Sequence, residues 1–255
     1  MAFIDFLAFQ EVLLLVTAVV VGYVGVAALL AMRRNDLAGV KGALKGAAIP
    51  LGAIGSVATV LSVWGEIVWP FPAPYLTSYN ILFIDVYLLF GVALLILAVS
   101  LATSSKLQYA GIFALVAGGV TIAYGWNGYV LGMTKEPLDM FLLYGAFGLA
   151  GILAFPATLI TDRYLAHPDG TAFAFGTSVA RRHPSIQASA RAAQPIVPVG
   201  PSGAPDEELS VRPSFRLPAY ISVTLLVFVA MMALAGIAAL YFLNTTLPAH
   251  LASAP

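Results

Sequence analysis

Six long apolar stretches decide what this chain of 255 residues can fold into. A helix that crosses the hydrocarbon core of a bilayer needs about 20 mainly apolar residues. A membrane β-barrel would instead show alternating segments of about ten residues, and the sequence has none. Lipid offers open backbone no hydrogen-bond partners, so helices are expected. The sequence therefore predicts an all-α integral membrane protein with spans near residues 9–32, 46–69, 81–102, 108–129, 138–160 and 217–243.

Composition agrees with this class and narrows the chemistry. The chain is 60% hydrophobic and 9% charged, with a net charge of zero, which leaves no basic surface for nucleic acid. It has no cysteine, which excludes disulfides and thiol catalysis. Its three histidines, His167, His183 and His250, lie outside the spans, which excludes bis-histidine haem inside the bundle. We find no catalytic, cofactor or metal motif, and we expect a protein that is not an enzyme and carries no cofactor.

Basic residues predict the orientation. Eleven of the twelve Lys and Arg residues lie in the connections between spans one and two, three and four, and five and six; Lys135 is the twelfth. Cytoplasmic loops carry the excess of positive charge. Both termini are therefore predicted to be extracytoplasmic. The eleven residues are Arg33, Arg34, Lys41, Lys45, Lys106, Arg163, Arg181, Arg182, Arg191, Arg212 and Arg216.

The chain changes character after the fifth span. Residues 166–216 are rich in Pro, Ala, Ser and Arg and show no apolar periodicity, which predicts a disordered cytoplasmic linker. A tether and a docking segment for a partner are both compatible with this composition. We expect residues 1–165 to form a five-helix functional core. Residues 217–243 would then be an appended anchor helix, and residues 244–255 an extracytoplasmic tail.

Asp85 is the most informative polar residue. It lies about one turn inside the predicted outer end of span three, where an unpaired ionisable group is costly and a functional role is the first hypothesis. Two structural roles compete with that hypothesis. The side chain can snorkel to the interface, or it can stabilise the positive end of its helix.

Glu66 ends a stripe of small residues on span two. Helical spacing places Ser62, Thr59, Ser56 and Gly55 on the same face. The stripe is interpreted either as a close-packing seam between helices or as a hydrated path that leads to Glu66.

Further polar and aromatic residues collect at the same outer level. Tyr124 and Asn127 lie near the end of span four, and Glu11 lies near the start of span one. An aromatic belt at the interface accounts for most of the aromatic residues. Together with the carboxylates they also predict an outward-facing polar pocket, whose candidate members are Asp85, Glu66, Glu11, Tyr124 and Asn127.

Four short motifs resemble a family of small archaeal and bacterial multi-pass membrane proteins of unknown function. They are Trp69-Pro70-Phe71-Pro72, Ser78-Tyr79-Asn80-Ile81, Leu88-Leu89-Phe90-Gly91 and the turn from Gly132 to Pro137. The resemblance covers about residues 1–165. It implies a five-helix core and brings no activity with it.

Two functional hypotheses remain from the sequence. The first is a non-enzymatic accessory or scaffold subunit of a larger complex in a prokaryotic plasma membrane. Its expected partners are lipids and either other membrane-protein subunits or further copies of itself. The second is a small transporter or channel in which the outer carboxylates bind a cation or a proton. An enzyme acting on lipid is a third hypothesis with no motif in its favour.

Overall fold

A computed structural model describes residues 6–70, 79–166 and 217–253, with side chains from residue 7 to residue 245 within these ranges. All regular structure in them is helical, and six helices are long and apolar enough to cross a membrane. The predicted all-α class with six spans is therefore confirmed. The helices are α1 Phe6–Arg33, α2 Leu37–Val68, α3 Val86–Thr103, α4 Gln108–Val130, α5 Pro137–Ala166 and α6 Ala219–Ser253; a π-helical turn, Asn80–Asp85, leads into α3.

Helix α2 begins more than two turns before the predicted residue 46. Asp36 caps its start, because the Asp36 carboxylate accepts a hydrogen bond of 2.8 Å from the backbone N–H of Gly39. The first turns carry Lys41 and Lys45, both exposed. A hydropathy pattern marks only the part of a helix that lies in hydrocarbon, so it misses such a polar beginning.

Helix α6 is an integral part of the bundle, which differs from the expected anchor. It packs against both α1 and α5. A Cβ added at Gly25 of α1 would meet Val229 at 2.9 Å, and one added at Gly236 of α6 would meet Ala18 at 3.2 Å, so the two helices run antiparallel. The helix also continues to Ser253, into the predicted tail.

Close contacts at glycine residues join α2 to α3 and α4 to α5. Helices α2 and α3 meet where a Cβ on Gly91 would lie 2.7 Å from the backbone nitrogen of Thr59. A Cβ on Gly55 would lie 3.0 Å from the carbonyl oxygen of Gly91. The small-residue stripe on α2 is thus a packing seam. Gly118 and Gly148 play the same part between α4 and α5.

The bundle has two chemically different ends. The end where α2 ends and α5 begins carries Glu66, Asp85 and Glu136, and we call it the acidic end. The end where α1 ends and α4 begins carries Arg33, Lys41 and Lys106, and we call it the basic end. At the basic end, the Asp162 carboxylate accepts hydrogen bonds of 3.0 and 2.8 Å from the N–H groups of Leu107 and Gln108, which caps α4. The predicted orientation remains a prediction, and residues 167–216 of the predicted linker lie outside the described residues.

Candidate functional site

Asp85 is positioned by the π-helical turn at the start of the third span. This turn covers residues Asn80–Asp85, and Asp85 is its last residue. Single π-helical turns re-aim side chains and are frequent at functional sites. The Asp85 side chain makes no capping hydrogen bond to α3. Any stabilisation of the positive end of α3 by Asp85 would therefore come from its charge alone.

Asp85 faces Tyr124 of α4 instead. The Tyr124 hydroxyl donates a hydrogen bond of 2.9 Å to Oδ2 of Asp85. The two residues are 39 positions apart in the chain, so this bond joins the third and fourth spans. Both side chains are partly buried.

Glu66 of α2 completes the cluster. Its carboxyl group lies within hydrogen-bonding reach of the Asp85 carboxyl group, and its charge also acts on Tyr124. Oε1 of Glu66 is buried and has no hydrogen-bond partner among the described residues. Carboxylate oxygens only accept hydrogen bonds, so a close pair of carboxylates needs a proton or a cation between its members.

Tyr144 anchors the π-helical turn from α5. Its hydroxyl donates a hydrogen bond of 2.8 Å to the buried carbonyl oxygen of Leu82. The ring of Phe83, in the same turn, meets the Tyr144 ring edge to face with 6.5 Å between centroids. Four elements therefore hold the cluster of Asp85, Glu66 and Tyr124: α2, the π-helical turn, α4 and α5.

The other two predicted pocket residues lie apart from this cluster. Asn127 is exposed, and its Nδ2 donates a hydrogen bond of 2.8 Å to the carbonyl oxygen of Ala123 in its own helix. It shares only a surface groove with Tyr124. Glu11 is 5% exposed and lines an interior cavity that does not include Asp85, Glu66 or Tyr124.

The oxygen atoms of Asp85, Glu66 and Tyr124 are better suited to bind a proton or a monovalent cation than a divalent metal ion. Ca²⁺ takes six to eight oxygen ligands, whereas the cluster offers two carboxylates and a phenol. In the part of the chain that the structure describes, no three His, Cys, Asp or Glu side chains come together as a metal site would require.

Two further buried polar residues escaped the sequence reasoning. Gln10 and Tyr87 are 5% and 3% exposed, and each has a polar atom with no hydrogen-bond partner in the described ranges. Tyr87 follows Asp85 by two positions, and such residues point to different sides of a helix. The same helix start thus supplies a carboxylate to the cluster and a phenol to the bundle interior. The signal in the sequence was the polar pair Gln10-Glu11 inside an apolar span.

A comparison with known protein families identifies the family of this chain. The model of a family of proteins of unknown function, DUF981, matches residues 1–176. The chain belongs to this family. The match covers the first five helices and confirms the resemblance to an uncharacterised family. No curated protein and no solved structure matches this DUF981 chain.

Proposed function

We propose that this DUF981 protein is a non-enzymatic membrane protein that binds a proton or a monovalent cation between Glu66 and Asp85. The observation that carries the proposal is the convergence of these two carboxyl groups and the Tyr124 hydroxyl from three separate spans. Two ionised carboxylates in contact repel each other in the folded state, and one positive charge between them removes that repulsion.

The hydrogen bond from Tyr124 makes the two carboxyl groups of the cluster different from each other. Its hydroxyl already donates to Asp85, so the Asp85 carboxylate is held in place as an acceptor. The Glu66 carboxyl group has a buried oxygen without a donor. A bound positive charge is therefore placed on the Glu66 side of the pair, where it satisfies that oxygen.

The proposal is one of binding rather than conduction. The α2–α3 seam that leads from Glu66 toward the basic end is closed by the contact of Gly91 with Thr59 and Gly55. The hydroxyl of Ser62, the next residue of the seam, bonds to its own helix at the Ala58 carbonyl oxygen, 2.9 Å away. A transported ion would need this seam to open.

The test measures how thermal unfolding of the full-length protein in lipid nanodiscs depends on pH and on Na⁺ or K⁺. Wild type is expected to gain stability at acid pH or with added cation. Glu66→Gln and Asp85→Asn, which keep shape and remove charge, are expected to lose most of that response. Asn127→Ala is the control, because Asn127 is an exposed, uncharged residue at the same end of the bundle and lies outside the cluster. Equal responses in all four proteins would refute the proposal.

A second candidate, the accessory subunit, is favoured by one separate observation. Gly42 and Gly46 of α2 form a small-xxx-small face that is exposed, and a Cβ added at either position would meet nothing within 4 Å. Small residues let two helices approach closely, and this face would contact a partner at the basic end, where α2 leaves the hydrocarbon. The partner would be another membrane protein or a second copy of this chain.

A double variant that combines Gly42→Leu and Gly46→Leu tests the accessory-subunit candidate. The double variant is expected to lose a partner or an oligomeric state seen for wild type on extraction in mild detergent. Gly119→Leu is the control, because its Cβ also has open space around it. An unchanged assembly in the double variant would remove this candidate.

A further inference from the structure

Three interior cavities follow one another along the axis of the bundle. Their volumes are about 160, 130 and 110 Å³, counted from the acidic end to the basic end. The first and second share the side chains of Phe90 and Phe147 as walls, and the second and third share Leu97 and Phe228. We call this series of adjoining cavities the axial tunnel; a ligand that occupies more than one of them must pass the side chains that they share.

The tunnel is polar only at its acidic end. Gln10 and Tyr87 both line the first cavity, and both are more than nine-tenths buried. Nε2 of Gln10 and Oη of Tyr87 have no hydrogen-bond partner among the described residues. A buried donor left without a partner is costly. Two such donors in one cavity therefore point to a ligand that supplies an acceptor.

The rest of the tunnel is apolar. Its threonines are already bonded to their own helices, each at 2.8 Å: Thr17 to the carbonyl oxygen of Leu13, Thr158 to that of Phe155, and Thr161 to that of Ala157. The remaining walls are aliphatic and aromatic side chains. Apolar cavities stay free of water and accept apolar ligands.

The dimensions fit a long, thin molecule. The tunnel is lined by α1 from Gln10 in the first cavity to Met32 in the third, which corresponds to about 33 Å at 1.5 Å per helical residue. This exceeds the thickness of one leaflet's hydrocarbon, about 15 Å. The tunnel is therefore long enough for one extended lipid chain.

We propose that the axial tunnel binds one single-chain lipid whose head carries an uncharged oxygen acceptor, such as an alcohol or a ketone. Gln10 and Tyr87 donate hydrogen bonds to that oxygen, and the apolar tail extends toward the basic end. The lining of the first cavity includes no Lys, Arg or His among the described residues, so an anionic head such as that of a fatty acid would find no charge partner there. The inference does not depend on the proposed cation site, whose residues do not line the tunnel.

The test compares hexadecanol, hexadecane and palmitate as ligands of full-length protein in nanodiscs of fixed phospholipid composition. Saturable thermal stabilisation by hexadecanol is expected, with weaker effects from the other two. Tyr87→Phe and Gln10→Met keep shape and remove one donor each, so each is expected to weaken hexadecanol binding by about fivefold to tenfold. Native mass spectrometry should find one hexadecanol per protein.

Two further variants separate the ligand from a structural effect. Ala93 lines both the first and the second cavity, so Ala93→Leu should narrow the tunnel and abolish hexadecanol binding. Thr121→Val is the matched control, because Thr121 lines the first cavity but its hydroxyl already bonds to the Ala117 carbonyl oxygen. It should bind hexadecanol as wild type does.

Two results would overturn the proposal. One is that hexadecanol binds equally well to wild type, Tyr87→Phe and Ala93→Leu. It would count equally against the proposal if hexadecanol bound to none of the three, as expected if only water occupies the first cavity. The other is palmitate that binds as tightly as hexadecanol. Neither result bears on the pH and cation response of Glu66 and Asp85, so the two proposals fail separately.

Discussion

The same substitution at two buried tyrosines should change stability in opposite directions. Tyr144 and Tyr87 are 7% and 3% exposed and lie in the same half of the bundle. The Tyr144 hydroxyl donates to the Leu82 carbonyl oxygen at 2.8 Å, whereas the Tyr87 hydroxyl has no partner among the described residues. Replacing either by Phe keeps the ring and removes only the hydroxyl.

The magnitudes follow from these partners. Hydrogen bonds between membrane helices contribute about 0.6 kcal/mol on average and up to about 1.7 kcal/mol. The Tyr144 bond ends on a carbonyl in a π-helical turn with a disturbed hydrogen-bond pattern, so Tyr144→Phe should cost about 1 kcal/mol. Tyr87→Phe removes a buried hydroxyl that has lost its water partners, and should raise the ligand-free stability by as much as about 1 kcal/mol.

Reversible unfolding of lipid-stripped full-length protein in mixed micelles, titrated with a denaturing detergent, measures both values. The Tyr124→Phe variant provides an intermediate case, since its hydroxyl bonds to Asp85 in a partly buried position. Equal losses of stability in Tyr144→Phe and Tyr87→Phe would refute the reasoning, because the hydroxyl partners would then be irrelevant.

Two further predictions concern the packing and the acidic end. Gly91→Val should destabilise the protein by about 2 kcal/mol or more in the same assay, because its Cβ would press on the Thr59 backbone. Gly119→Val is the control, because a Cβ at Gly119 meets nothing within 4 Å. Equal losses of stability in the two variants would contradict the close packing of α2 against α3 at Gly91. The hydrogen bond between Glu136 and Asp139 raises the pKa of Glu136. A raised folded-state pKa adds stability at acid pH that is lost as pH rises through it, so Glu136→Gln should be more stable than wild type at pH 7 and equal to it near pH 3; a constant difference would contradict this.

The sequence predicted the spans well because hydropathy reports directly on a helix in lipid. It also singled out Asp85 by its depth, which depends on counting along one helix. The hydropathy pattern does not predict which helices contact each other or through which faces. The bond from Tyr124 to Asp85 and the approach of Glu66 depend on which faces of α2, α3 and α4 meet, and a uniformly apolar helix leaves those faces undetermined.

The same limit explains the differences at α6 and Glu11. The α6 span is apolar all round, so its packing between α1 and α5 cannot be read from its pattern. The sequence places Glu11 and Asp85 at the same level of the bundle, yet Glu11 lines the interior cavity. The π-helical turn at Asn80–Asp85 shifts the register of its side chains, which no 3.6-residue periodicity anticipates.

A double-mutant cycle on Glu66 and Asp85 tests the central claim most directly. The free energy of unfolding is measured for wild type, Glu66→Gln, Asp85→Asn and the double variant, in low salt at pH 8 and again at pH 5. At pH 8 in low salt, where no positive charge separates the two carboxylates, their repulsion should give an unfavourable coupling of about 1 kcal/mol or more. That coupling should decrease at pH 5 or with added Na⁺, when the charge between them is present. Additive effects at both pH values would contradict the account.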